Sequence, residues 1–414
     1  MDEVRTTCCI VGGGPAGVML GFLLARAGVQ VSVLEKHKDF FRDFRGDTVH
    51  PSTMQLMKEL GMLGDFLAQP HEKVETLGGV YGGYSFRVGD LHSLPIDTPY
   101  IALMPQWDFL NFLSGKAKAY PEFTLCMEHE ATGLIEREGR VCGVAVQTPA
   151  GEQRFMADLV IACDGRHSIM RKSAALPLKE IGVPIDVLWF RLSKTEDDPV
   201  RGVMGNINYG KMLILIERSD YFQAGLIIRK GGLVEIQQQG LSAFRQTLRQ
   251  VVPALGDRVE EINSWDQVKL LTVQVNRLLR WWMPGLLCIG DAAHAMSPVG
   301  GVGINLAIQD AVAAANVLAG ALREKRSTDS LLAAVQKRRT FPTRGTQRMQ
   351  VTVHKGLQTI FQHTGSMRPP VLLKAIVNLP GLKRVLARAV GMGLRREHVR
   401  TPDVRRGQAE RSQM

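Results

Sequence analysis

The chain has 414 residues, 45% hydrophobic and 22% charged, with a formal net charge of +11. That length buries a large core and divides into two or three domains, and the composition excludes disordered and fibrous classes. The basic balance admits nucleic-acid binding, but no reader motif or aromatic interleaving accompanies it, so no nucleic acid is expected as a partner.

Residues 6–35 read as a β-α-β unit. Its apolar run Cys8-Cys9-Ile10-Val11 leads into Gly12-Gly13-Gly14-Pro15-Ala16-Gly17 and a helix-like stretch to Ala27. In that setting Gly12 permits a tight turn, Gly14 lets the backbone approach a pyrophosphate, and Gly17 lets the helix lie close on the strand. The helix N-terminus offers free N–H groups and a positive dipole end to the anion. A second strand, Val29 to Leu34, ends in Glu35, where a carboxylate accepts hydrogen bonds from ribose hydroxyls. The uncharged run between Arg5 and Arg26 imitates a signal peptide or a span. The glycines and Pro15 break any such helix at its centre, so a soluble, cytoplasmic protein is expected.

Arg42 to Leu63 reads as a loop and a helix, and Val74 to Met104 as glycine-rich strands. A helix from Gln106 to Ala119 precedes strands over Phe123 to Val146, with a turn at Glu138-Gly139. Ala157 to Ala162 is an apolar strand of the buried parallel type. A strand-rich block covers Ile185 to Val275, including a hairpin around Arg218-Ser219-Asp220 and a closing strand through Val268, Leu271, Val273 and Val275. Leu286 to Ile289 returns to the apolar type, and Leu306 to Leu322 is an alanine-rich helix. Leu382, Val385, Leu386, Ala389 and Val390 recur at helical spacing beneath Lys383, Arg384 and Arg388, an amphipathic helix. That helix either docks on the nucleotide domain or makes weak peripheral contact with an anionic membrane, docking being the favoured reading. Nine Lys/Arg against three Asp/Glu follow Pro380, and the last dozen residues read as a disordered tail. The six cysteines hold no Cys-x-x-Cys pair; no zinc site or disulfide framework is indicated, which suits a reducing cytoplasm.

The nucleotide-binding pieces are thus interrupted by strand-rich insertions, giving a doubly wound α/β domain with an interwoven mixed β-sheet substrate domain and a helical C-terminal region. The expected division is 1–73, 105–180 and 276–340 for the first; 74–104 and 181–275 for the second; 341–398 for the helical region; and 399–414 for a basic tail.

Two further motifs follow strands. Asp164-Gly165 follows Ala157 to Ala162, and Gly290-Asp291 follows Leu286 to Ile289, so both aspartates should face the ligand at the carboxyl ends of parallel strands. After the second comes Pro298-Val299-Gly300-Gly301-Val302-Gly303-Ile304-Asn305, a loop with little side chain that opens a helix. Bare N–H groups there suit the delocalised negative charge of a reduced flavin ring.

With these three motifs in order, the sequence resembles the FAD-dependent aromatic hydroxylases, the single-component flavoprotein monooxygenases, over roughly residues 4–330. The resemblance implies a Rossmann-like fold with tightly bound FAD, and NAD(P)H as a transient co-substrate. It implies that Gly12, Gly14, Pro15, Ala16 and Gly17 hold the pyrophosphate, with Glu35 and Lys36 at the adenosine ribose. Arg45 would reach the phosphates or ribityl chain, Gln106 would lie beside the cofactor, and Ala131 would meet adenine through its backbone. Asp164 would serve both FAD and NAD(P)H, and Asp291 the ribityl chain. Pro298, Gly301, Gly303, Ile304 and Asn305 would line the ring. Val302 stands where ubiquinone-type members tend to carry glutamine, a departure from that subgroup.

The implied activity inserts one atom of O2 into a phenolic ring through a flavin C4a-hydroperoxide. No triad or acid–base dyad is needed, and no catalytic side chain is assigned. His50, His294 and the tyrosines 81, 84 and 100 have structural readings at least as good as functional ones. The substrate-domain strands carry few ionisable residues, which favours a bulky, largely neutral aromatic. An FAD-dependent reductase or dehydrogenase on the same scaffold, and a non-enzymatic flavoprotein, remain alternatives at this stage.

Overall fold

The computed structural model describes residues 2–41, 47–195, 198, 203–218, 220–379 and 381–405. At its centre five parallel strands stand in the order Leu286–Cys288, Gly151–Ala162, Asp2–Val11, Val31–Glu35, Phe123–Met127. Their register aligns Cys288, Ala162, Val11 and Leu34, so four loops leave the sheet from one edge. Cys8, Cys9, Ile10 and Val11 are all buried, because a parallel sheet is covered on both faces. Helices Pro15–Arg26, Gln106–Ala117 and Gly303–Arg323 pack with one another beside this sheet. Gly21 lets the first of them approach: a Cβ there would lie 2.7 Å from Val33 and 2.8 Å from Phe123.

The second sheet has seven strands, in the order Lys269–Leu271, Ile185–Ser193, Tyr221–Arg229, Lys211–Glu217, Val203–Asn208, Thr76–Tyr81, Tyr84–Asp90. Its two faces separate by strand alternation. Leu188, Phe190, Leu213, Leu215, Ala224 and Leu226 pack under the helix Leu241–Val251. The opposite face carries Val187, Trp189, Ile227, Met212 and Ile214. The hairpin Lys211–Glu217 with Tyr221–Arg229 is present as expected; Ser219 lies outside the described residues. The single strand expected over Val268 to Val275 is two strands in different sheets, Lys269–Leu271 and Val275–Leu278. Alternating apolar residues continue through the break, which hides it from a pattern reading.

Gly303–Arg323 is the one described helix apolar and long enough to cross a membrane, and most of it is packed inside the protein. It is followed by a 32-residue helix, Asp329–Ile360, which carries Pro342 inside it and runs unbroken past residue 340. The amphipathic helix Leu382–Gly391 docks, but chiefly on the Tyr84–Asp90 strand and the turn Leu91–Ser93, in the segment expected for the substrate domain and not on the nucleotide domain. A Cβ on Gly391 would meet Leu94 at 3.0 Å and Leu91 at 3.1 Å. Beyond it, Thr401 is pinned by buried Arg26, whose Nη1 donates to its carbonyl at 2.8 Å, and Asp403 pairs with the same arginine at 3.4 Å. The start of the expected tail is therefore ordered, because a buried guanidinium requires acceptors; residues 406–414 lie outside the described set.

His50 ties the docked helix to the rest. It is fully buried, with Nδ1 2.8 Å from the Val390 carbonyl and Nε2 without a partner. Burial pushes its pKa down to about 4 against the pull of that carbonyl, so the ring is neutral and Nδ1–H donates. The folded value lies below the ordinary 6.5. Stability is therefore intact above that pH and lost as pH falls toward 4, by about 3 kcal/mol for this group. Thermal unfolding measured across this window should fall more steeply for the native chain than for His50→Gln. Parallel pH profiles would contradict the assignment.

Candidate cofactor site

The glycine loop after the first strand is shaped by backbone contact. Gly12, at φ +105°, packs so tightly that a Cβ would lie 2.5 Å from the Cys163 carbonyl oxygen. A Cβ on Gly17 would lie 1.9 Å from the Gly12 carbonyl oxygen. Gly14 by contrast faces open space. The helix Pro15–Arg26 starts there with no side-chain cap, so its first N–H groups are available to a ligand. The Glu35 carboxylate accepts from the backbone N–H of Gly13 and of His37, each at 3.1 Å. Lys36 reaches Glu130 at 3.9 Å, and Ala131 is buried opposite Val146.

Asp164 stands beside the same loop; its backbone nitrogen would be 2.9 Å from a Cβ on Gly12. Its Oδ2 accepts from Ile169 N–H at 2.8 Å and Met170 N–H at 3.2 Å, whereas Oδ1 is buried with no partner. Burial holds this carboxyl above the usual carboxylate range despite those hydrogen bonds. Gly290, at φ +59°, fits between Ala16 and Ala307, each 3.3 Å from where a Cβ would stand. Asp291 beside it is partly exposed, 3.8 Å from Arg166. Arg171 fastens the two loops: its buried guanidinium donates to Ala292 O at 3.0 Å and Arg166 O at 2.8 Å.

The loop from Pro298 leads into Gly303–Arg323, again with no side-chain cap and with open space at Gly303. Thr48 donates to the Gly301 carbonyl at 2.7 Å. Asn305 Oδ1 accepts from His50 N–H at 2.8 Å and the Thr53 hydroxyl at 2.7 Å, and Nδ2 donates to Thr48 O at 3.1 Å. Its side chain is thus engaged by the protein, leaving this loop to present backbone. Pro298 and Ile304 are half-buried alongside. Gln106 opens its helix and gives its N–H to the Asp47 carboxylate. Burial pushes Asp47 up to about 6, against the pull of Arg218, its ion-pair partner from the seven-stranded sheet. Arg45 lies outside the described residues.

Sequence reasoning passed over the group beneath these loops. Asp310 is fully buried, accepting from Gly290 N–H at 3.1 Å, from His294 Nε2 at 2.6 Å and from Arg339 Nε at 2.7 Å. Though burial opposes it, His294 and Arg339 hold this carboxyl below the usual range. Arg339 also meets Glu397 at 3.4 Å, which takes Arg338 as well. The one available signal was that Asp310 is the only charged residue from Gly303 to Leu322. Asp310→Ala would leave buried Arg339 with Glu397 as its one remaining carboxylate, at 3.4 Å, and take the acceptor from His294 and Gly290 N–H, costing about 3–5 kcal/mol. This is expected as loss of folded protein or a lowered urea midpoint; an unchanged midpoint would refute it.

The residues present fit FAD. Two uncapped helix N-termini, open space at Gly14 and Gly303, an orphaned acceptor on Asp164 and the partly exposed Asp291 supply donors for phosphate and ring and acceptors for hydroxyls.

Comparison with known proteins agrees. The FAD binding domain family matches residues 5–349. The 6-methylpretetramide 4-monooxygenase of Streptomyces rimosus is 32% identical over 94% of this chain and 92% of its own. Among solved structures, the anhydrotetracycline hydroxylase OxyS from Streptomyces rimosus aligns with a TM-score of 0.73 at 22% identity, covering 94% of this chain and 76% of that one. PqsL of P. aeruginosa in complex with 2-aminobenzoylacetate aligns with a TM-score of 0.74 at 20% identity, covering 86% and 98%. The chain belongs to the FAD-binding-domain family and is an FAD-dependent aromatic monooxygenase.

Proposed function

We propose that this chain hydroxylates a bulky, largely neutral, phenolic polycycle, consuming NAD(P)H and O2. The observation that carries the reading is the apolar sheet face of Val187, Trp189, Ile227, Met212 and Ile214, against which Val299 of the glycine loop packs. That face is covered by Leu357, Ile360, Phe361 and Met367, and a planar ring admitted beneath them would lie beside the loop that would hold the flavin ring. The similarity to a 6-methylpretetramide monooxygenase supports a fused, multi-ring phenol.

The chemistry supplied by bound FAD is acceptance of hydride from NAD(P)H and activation of O2. The chain's own residues bind and orient. The Gly12-Gly14-Gly17 loop, with Pro15 and Ala16, would hold the pyrophosphate, and Glu35 the adenosine ribose, flanked by Lys36 and Ala131. Asp164 Oδ1 would accept a cofactor donor, and Asp291 the ribityl hydroxyls, with Gln106 adjacent. Backbone N–H groups from Gly301 to Asn305 would stabilise negative charge on the ring. One oxygen atom enters the substrate ring and the other leaves as water.

Asp291→Ala should weaken FAD binding by about tenfold or more, the loss of one or more charge-assisted hydrogen bonds. Purified protein should lose its yellow colour while staying folded; full retention of FAD would displace Asp291 from this role. Fused-ring phenols should stimulate NAD(P)H oxidation and yield product carrying one atom from isotopically labelled O2. Stimulated oxidation with no label in the product would favour the reductase reading, and no stimulation by any aromatic would favour the non-enzymatic one.

A further inference from the structure

The floor of this apolar face contains one polar group that packing does not explain. Trp189 is 7% exposed, and its Nε1–H is buried without a partner. It pairs across the sheet with Gly225, between the rows Val187–Ile227 and Arg191–Gln223. A Cβ on Gly225 would lie 2.7 Å from Cζ3 of the indole and 3.0 Å from Cε3. The carbon edge of the six-membered ring therefore rests on bare glycine backbone. Nε1 lies on the opposite edge of the indole from that contact, and the residue belongs to the cluster that also holds Leu357 and Met367, with Val299 and Phe361 packed against it. The backbone groups of the Trp189 strand are engaged in ladders on both sides, with Tyr221–Arg229 and Lys269–Leu271. A buried donor left unpaired is destabilising.

We propose that the Trp189 indole N–H is the hydrogen-bonding anchor of the substrate, donating to a ketone or phenol oxygen on a planar fused-ring compound. This rests on the polycyclic-phenol reading above. The apolar floor buries the ring faces, and the lone donor sets which way the oxygenated edge points, hence which carbon meets the flavin loop at Val299. Recognition by one buried donor discriminates strongly against analogues lacking the acceptor, because such a ligand leaves the donor unpaired. The covering side chains come from the end of Asp329–Ile360 and the irregular segment after it, so entry requires movement of that segment and leaves the sheet intact.

The test uses the full-length, FAD-loaded chain, with anhydrotetracycline as probe. Trp189→Phe should raise the Kd for the probe about tenfold while the chain stays folded and keeps its FAD content. In protein grown with isotope-labelled tryptophan, the Nε1–H resonance missing from Trp189→Phe should move downfield when the probe binds to the native chain. Native binding with a Kd within about twofold in the variant, or with no movement of that resonance, overturns the anchor and leaves the substrate reading standing. If the FAD-loaded native chain neither binds the probe nor oxidises NAD(P)H faster in its presence, the polycyclic reading falls and the anchor with it.

Discussion

The Asp310 carboxylate is the interaction on which the site's geometry depends. One oxygen takes the Gly290 N–H and His294, the other takes Arg339. A single buried charge thus joins the Gly290-Asp291 loop, the helix that opens at the ring-facing loop, and the long helix Asp329–Ile360. Arg339 passes the connection to Glu397 and so to the chain's end. Such a network contributes little net stability compared with a well-packed apolar replacement, but its parts cannot be removed singly. Its value here is positional. Asp291 keeps a partly exposed side chain, while Asp310 takes the N–H of the neighbouring Gly290 and so holds the loop.

The same division between supporting and presenting groups recurs across the site. The Asn305 side chain, accepting from the His50 backbone N–H and the Thr53 hydroxyl, locks the start of the Gly303–Arg323 helix against the Pro51–Glu59 helix. Arg171 locks the Asp164 loop to the Asp291 loop. What remains for a ligand is backbone N–H, the carboxylates of Glu35, Asp164 and Asp291, and open space. That pattern suits a large anionic cofactor: helix termini and peptide dipoles stabilise spread charge without a counter-ion that would have to reorganise.

The parallel β-α-β unit and its glycine turn were legible because their pattern is local, carried by residues within a few positions of one another. The Lys211–Glu217 hairpin was legible for the same reason. Asp310, Arg339 and Arg171 were not, since nothing in a window around Arg339 says that its carboxylates stand 29 and 58 residues away. The helix Asp329–Ile360 escaped notice because its sequence is polar and contains Pro342, a helix breaker by local propensity that is buried here and accommodated by tertiary packing. Asn305 was expected to line the ring; its place at the start of the Gly303–Arg323 helix was readable, but the engagement of its side chain with residues 48–53 required the fold.

Charge, too, is organised by tertiary structure. From Ser330 to Arg396 there are thirteen Lys and Arg and no Asp or Glu, more than the whole chain's net +11, so the remainder is slightly acidic. Arg338 and Arg339 are drawn inward by Glu397 and Asp310. Lys337, Arg344, Arg348 and Lys355 recur along the solvent side of the long helix, and Lys383, Arg384 and Arg388 are exposed on the docked one. The two inward charges hold the helical layer to the cofactor domain, and the outward ones give that layer a field of one sign. Such a field raises the local concentration of anionic solutes, NAD(P)H among them, and weakens as salt shortens the screening length. A co-substrate that visits and leaves benefits from that kind of attraction, because it speeds encounter without adding a tight contact that would delay departure.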